Sequence, residues 1–139
     1  MGAERATRTP RAGLARAACL ALTVALGLAT RKAPGLFPGF VAEFGGDTLY
    51  ATLWVQLLGG VAWARGRRTP GVMNVALAAL ALCFVIEGSQ AIDIRWLDAL
   101  RRTTFGALVL GRGFLVSDLA CYTVGVALGG LLERALRWP

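Results

Sequence analysis

Four side chains carry most of the chemistry available to this sequence. Glu87 and Gln90 stand three residues apart in one apolar stretch, and Asp118 and Tyr122 stand four apart in another. Both spacings place each pair on one face of a helix. An ionised carboxyl inside an apolar helix costs at least ~2.5 kcal/mol on membrane-insertion scales, so such a residue is a functional candidate by default. Glu87 and Asp118 together could exchange a proton as an acid and base pair, or titrate in an ion-coupled carrier. Alternatively, Arg112, Arg101 and Arg31 could meet an anionic headgroup while Glu87 and Asp118 orient them or meet a cation. The bland alternative is a structural ion pair between Arg112 and one of the acids, which would set loop and helix register. Arg101 and Asp47 are secondary candidates, Asp47 being read first as an N-cap of its helix.

Much conventional catalysis is absent. The chain has no His, which removes the commonest general base and metal ligand. Ser89 and Ser117 lack a nucleophile-elbow setting. Cys19, Cys83 and Cys121 are far apart and lie in apolar surroundings, so they read as packing residues rather than a zinc or redox motif. No metal and no cofactor is expected, and an enzyme is the secondary reading.

The elements that must position these groups follow from composition. The 139 residues are 56% hydrophobic and 17% charged, against roughly 45–50% and 25% in a soluble domain. The net charge of +7 sits in clusters flanking apolar runs. It lacks the basic surface or module of a nucleic-acid binder, so no nucleic-acid partner is expected. An all-α, polytopic membrane protein is predicted: one domain over residues 1–139, a compact bundle of four transmembrane helices at about residues 13–30, 48–64, 71–92 and 114–136. A half-buried interfacial segment is expected over about residues 96–112. There Trp96, Leu97 and Leu100 would lie in the interface while Asp98, Arg101 and Arg102 face water. Residues 31–47 read as a stiff connector with Pro34 and Pro38, its phenylalanines resting at the headgroups.

The first span has a rival reading as a cleaved signal peptide, with Arg5, Arg8, Arg11 and Arg16 as its basic region. Against this, Cys19, Thr23, Gly27 and Thr30 form a small, weakly polar stripe suited to packing on neighbouring helices. Placing both termini in the cytoplasm puts Arg65, Arg67, Arg68, Arg134 and Arg137 on that side as well. Asp47, Glu87, Gln90, Arg112 and Asp118 then gather at the outer end. Gly125 and Gly129 continue the Asp118 and Tyr122 face and allow close helix approach, which brings the acidic ends of the third and fourth helices together.

The blocks RKAPGLFPGF, GGDTLYA, FVIEGSQ and WLDALRRTTFGALVLGRGFLVSDLACYTVGVALG, within residues 31–133, closely resemble a bacterial family of small inner-membrane proteins known only as a domain of unknown function. Some of its members carry a ribosomal-maturation label. Glu87, Gln90, Arg112, Asp118, Gly125 and Gly129 are also similar to the skeleton of the VanZ-like family, which is associated with glycopeptide (teicoplanin) resistance. VanZ-like chains commonly carry Asn where this one has Tyr122. The resemblance implies a four-helix inner-membrane protein with an outward acidic site. Its expected partners are the bilayer, an anionic lipid or lipid-linked envelope precursor, and other copies of itself. An envelope accessory or binding protein is the leading reading; a lipid-directed enzyme, an ion-coupled transporter and a plain scaffold stand beside it.

Overall fold

The computed structural model describes residues 9–66, 70–111 and 116–137. Among the described residues six α-helices run in the order α1 (Pro10–Lys32), α2 (Gly39–Arg65), α3 (Val72–Gln90), α4 (Arg95–Arg101), α5 (Thr104–Leu110) and α6 (Val116–Arg137), with a 3-10 turn at Pro34–Leu36. At 1.5 Å per residue the four long helices extend about 28 to 40 Å, enough for a hydrocarbon layer of about 30 Å. Three of them, α1, α3 and α6, are both long and apolar enough to cross a membrane.

The fourth long helix, α2, is the longest. It packs against α1, α3 and α6. Its buried positions include Thr52 and Gln56 beside Ala51 and Val55. Their polar atoms find partners on neighbouring helices: Thr52 Oγ1 donates to the Gly125 carbonyl at 2.8 Å, and Gln56 Nε2 donates to Thr23 Oγ1 at 2.9 Å. Such groups are costly against lipid and tolerable against protein, which accounts for the placement of this helix.

The termini of the helices follow local rules. Thr9 Oγ1 accepts from Ala12 N at 3.2 Å and Pro10 occupies the first turn of α1. Gly66, at φ 62°, closes α2 in the left-handed conformation. The core is formed by Ala51 and Val55 of α2, Val75, Ala79 and Cys83 of α3, and Tyr122 and Val126 of α6. All three cysteines are free, and Cys83 and Cys121 are buried.

Three sequence expectations are corrected. Residues 39–47 are not a connector: α2 begins nine positions earlier than expected, because only Pro34 and Pro38 interrupt helix and nothing after Pro38 does. Asp47 therefore lies inside α2 and cannot cap it; Pro38 holds the cap position without a side-chain hydrogen bond. The third concerns the glycines of α6, which approach α2 rather than α3. A Cβ at Gly125 would lie 2.0 Å from the Thr48 carbonyl oxygen, and one at Gly129 would lie 2.7 Å from Val55 Cβ. The absence of side chains there lets the two backbones close on each other.

Candidate functional site

Among the described residues the two largest fully buried side chains are carboxylates, Glu87 and Glu133, both 0% exposed. They lie at opposite ends of the bundle. Glu87 continues the stripe Val75, Ala79 and Cys83, one residue every four along α3, so the helix that buries those apolar groups must also bury the acid. Tyr122 of α6 donates its hydroxyl to Glu87 Oε2 at 2.8 Å, and Gln90 Nε2 donates to the same oxygen at 3.2 Å. A buried acceptor needs such partners, because burial removes the water that would otherwise serve it.

Above Glu87 the bundle opens into a cleft of about 430 Å³, lined by Arg31, Asp47, Gln90, Thr104, Ala107, Leu108, Gly111 and Asp118. Arg31 reaches from the last turn of α1 and its Nη2 lies 3.1 Å from Asp47 Oδ1. Asp118 stands in the first turn of α6, where a carboxylate suits the positive end of the helix dipole; Ser117 Oγ is 3.5 Å from its Oδ1. Gly111 is required at the rim: its φ is 69°, and a Cβ there would sit 2.5 Å from Gln90 Nε2. Gln90 thus joins the buried Glu87 to the open cleft.

The wall over this cleft is α5, tied down from two sides. Tyr50 of α2 donates its hydroxyl to the Val109 carbonyl. Thr103 Oγ1 caps α5 by accepting from Gly106 N at 3.0 Å. The preceding helix, α4, is held by Arg101, whose Nη2 donates to the Ser89 carbonyl at 2.7 Å and whose Nη1 lies 3.2 Å from Asp98 Oδ1.

The opposite end is built as a closed knot. Arg16 of α1 meets Glu133 at two points, Nη1 to Oε2 at 2.8 Å and Nη2 to Oε1 at 3.0 Å. Arg137 Nε donates to Glu133 Oε1 at 2.8 Å, and Arg137 Nη1 donates to the Pro70 carbonyl at 2.6 Å. The Arg16 guanidinium also lies 5.6 Å over the Trp63 ring. Gly59 completes the fit, since a Cβ there would lie 2.5 Å from the Glu133 carboxyl.

Among the sequence-predicted residues, Glu87, Gln90 and Tyr122 meet directly, and Asp118 and Asp47 share the adjoining cleft. Arg112 lies outside the described residues. Arg101 was expected to face water; it is 7% exposed, because its guanidinium takes a carbonyl at the C-terminal end of α3. Leu97, expected at the interface, is likewise buried, while Trp96 is exposed. Arg31, expected as a headgroup cation, does line the cleft. One functional element escaped sequence reasoning: Glu133 with Arg16 and Arg137 forms a second polar cluster. A signal for Glu133 did exist: the step of four from Gly125 to Gly129 continues to position 133.

Comparison with known proteins adds a family without an activity. The family model described as "Protein of unknown function (DUF2809)" matches residues 36–126, more than half of the chain, and the chain belongs to that family. The match takes in α2, α3, α4, α5 and the first half of α6, hence Asp47, Glu87, Gln90, Asp118 and Tyr122. No solved structure matches the chain.

Proposed function

We propose that this DUF2809 member is a multi-pass inner-membrane protein that binds a lipid headgroup or lipid-linked envelope component at the end of the bundle holding Glu87. In this reading all four long helices cross the bilayer, both termini lie in the cytoplasm, and the cleft opens at the outer face. The molecule acts as an envelope accessory protein without catalysing a reaction.

One contrast carries the reading. Each end of the bundle buries a carboxylate, and a cleft with charged walls adjoins the end that holds Glu87. Glu133 is neutralised by two arginines and closed over by the Gly59 backbone, as expected for a structural ion cluster. Glu87 instead lies beneath a cleft of about 430 Å³ whose walls bear Arg31, Asp47 and Asp118. Charged groups converging on a concave space are the usual form of a binding site. The resemblance of Glu87, Gln90, Asp118, Gly125 and Gly129 to the VanZ-like skeleton supports the same outward polar site.

Native mass spectrometry of the detergent-purified protein tests this, read beside Arg31→Ala and Asp118→Asn. The expected result is a specific co-purified lipid or lipid-linked precursor that both variants lose while subunit number stays unchanged. Equal lipid in all three proteins would overturn the reading and leave the cleft residues a structural role. The same spectra report whether the protein is a homo-oligomer.

A further inference from the structure

An apolar groove of about 320 Å³ runs along the outside of the bundle between α1, α2 and α5. Its walls include Gly27 and Leu28 of α1, Leu49, Leu53 and Leu57 of α2, and Phe105 of α5. At one end it shares two residues, Arg31 and Leu108, with the polar cleft. Groove and cleft therefore form one continuous surface, apolar along its length and charged at its end.

The dimensions suit one occupant. From Gly46 to Leu57 the groove follows twelve residues of α2, eleven steps of 1.5 Å or about 16 Å. One leaflet contributes half of a hydrocarbon layer of about 30 Å, which is about 15 Å. A single acyl chain lying beside α2 would span the groove and bring its headgroup to Arg31. The charges there are unequal: Arg31 is already engaged by Asp47, and Asp118 has no basic side chain within ion-pair distance among the described residues.

We infer that the groove seats one acyl chain of a phospholipid whose headgroup is zwitterionic, with its phosphate at Arg31 and its ammonium at Asp118. This rests on the headgroup reading above and adds the chain, its route and the headgroup charge. Opposite charges at the two positions match the two halves of an aminophospholipid headgroup. An anionic headgroup without an amine would leave Asp118 facing more negative charge.

The test uses the full chain in nanodiscs of equal phosphatidylethanolamine and phosphatidylglycerol, released into detergent for native mass spectrometry. Retained phosphatidylethanolamine is expected to exceed phosphatidylglycerol by about tenfold, the effect of one charge-assisted hydrogen bond. The Gly27→Leu variant should lose it. Gly27 lines the groove, and a Cβ there meets Leu49 Cβ at 3.7 Å, an ordinary contact, so the backbone accepts a side chain at this position. Retention unchanged in Gly27→Leu but lost in Arg31→Ala would overturn the groove assignment and leave the headgroup reading standing; retention unchanged in both would overturn the two together. Preference for phosphatidylglycerol would overturn the headgroup charge. A second measurement needs no variant: a phosphatidylethanolamine with a photoactivatable acyl chain should label residues 23–31 and 49–57 in the wild-type protein. Labelling confined to the outer faces of α3 and α6 would overturn the proposal.

Discussion

Arg16 and Glu133, 117 positions apart in sequence, form a two-point ion pair that joins α1 to α6, helices that otherwise touch little. The acid is wholly buried and the guanidinium nearly so. A buried pair is weak evidence of net stability, because desolvating both charges offsets their attraction. Removing one partner alone is another matter.

Glu133→Ala would leave the partly buried Arg16 and Arg137 without the carboxylate that pairs with both. A loss of about 3–5 kcal/mol is expected, the cost of stranding a buried charge. Thermal unfolding in detergent checks it. The double variant Arg16→Met with Glu133→Leu should unfold at a higher temperature than Glu133→Ala; equal midpoints would show that the ion pair does not govern this end.

Gly59 and Gly60 are neighbours in α2 with opposite surroundings. An added methyl at Gly59 meets the Glu133 carboxyl at 2.5 Å, whereas at Gly60 nothing lies within 4 Å. Gly59→Ala should therefore destabilise by about 1–3 kcal/mol through overpacking. Gly60→Ala should be neutral or stabilising by up to about 1 kcal/mol from helix propensity. Measuring both midpoints side by side removes any general effect of alanine, and a matched response would contradict the packing at Gly59.

Tyr122→Phe keeps the ring in the core and deletes the hydroxyl that donates to Glu87. Losing one of the hydrogen bonds that this buried oxygen accepts costs about 1 kcal/mol. The site is remote from Glu133, so this loss should add to that of Gly59→Ala within about 0.5 kcal/mol. Strong coupling between the two variants would show that the bundle transmits strain from end to end.

Arg101→Ala should release α4 while leaving α5 and the four long helices packed. The guanidinium holds α4 to the end of α3 through the Ser89 carbonyl, while α5 keeps its own tie through Tyr50. Amide hydrogen exchange is expected to quicken over residues 95–103 with protection in α2 and α6 unchanged. Faster exchange throughout the protein would assign Arg101 a global structural role instead.

Composition alone determined that the chain is helical and membrane-compatible, because long apolar runs with few charges admit little else. It also placed Glu87, Gln90, Asp118 and Tyr122 at one end, since rise per residue converts position along a helix into depth. Proline positions located the break between α1 and α2 but not its length, as nothing in 39–47 forbids helix and only packing on α1 and α6 selects it. Which helix faces which belonged to the tertiary structure. Hydropathy averages over all faces of a segment, so it could not show that Gly125 and Gly129 approach α2, that Arg101 turns inward, or that Arg31 meets Asp47. The pairing of Arg16 with Glu133 lay furthest from view: it depends on the rotation of two helices about their own axes, a quantity set by how α2 packs between its neighbours.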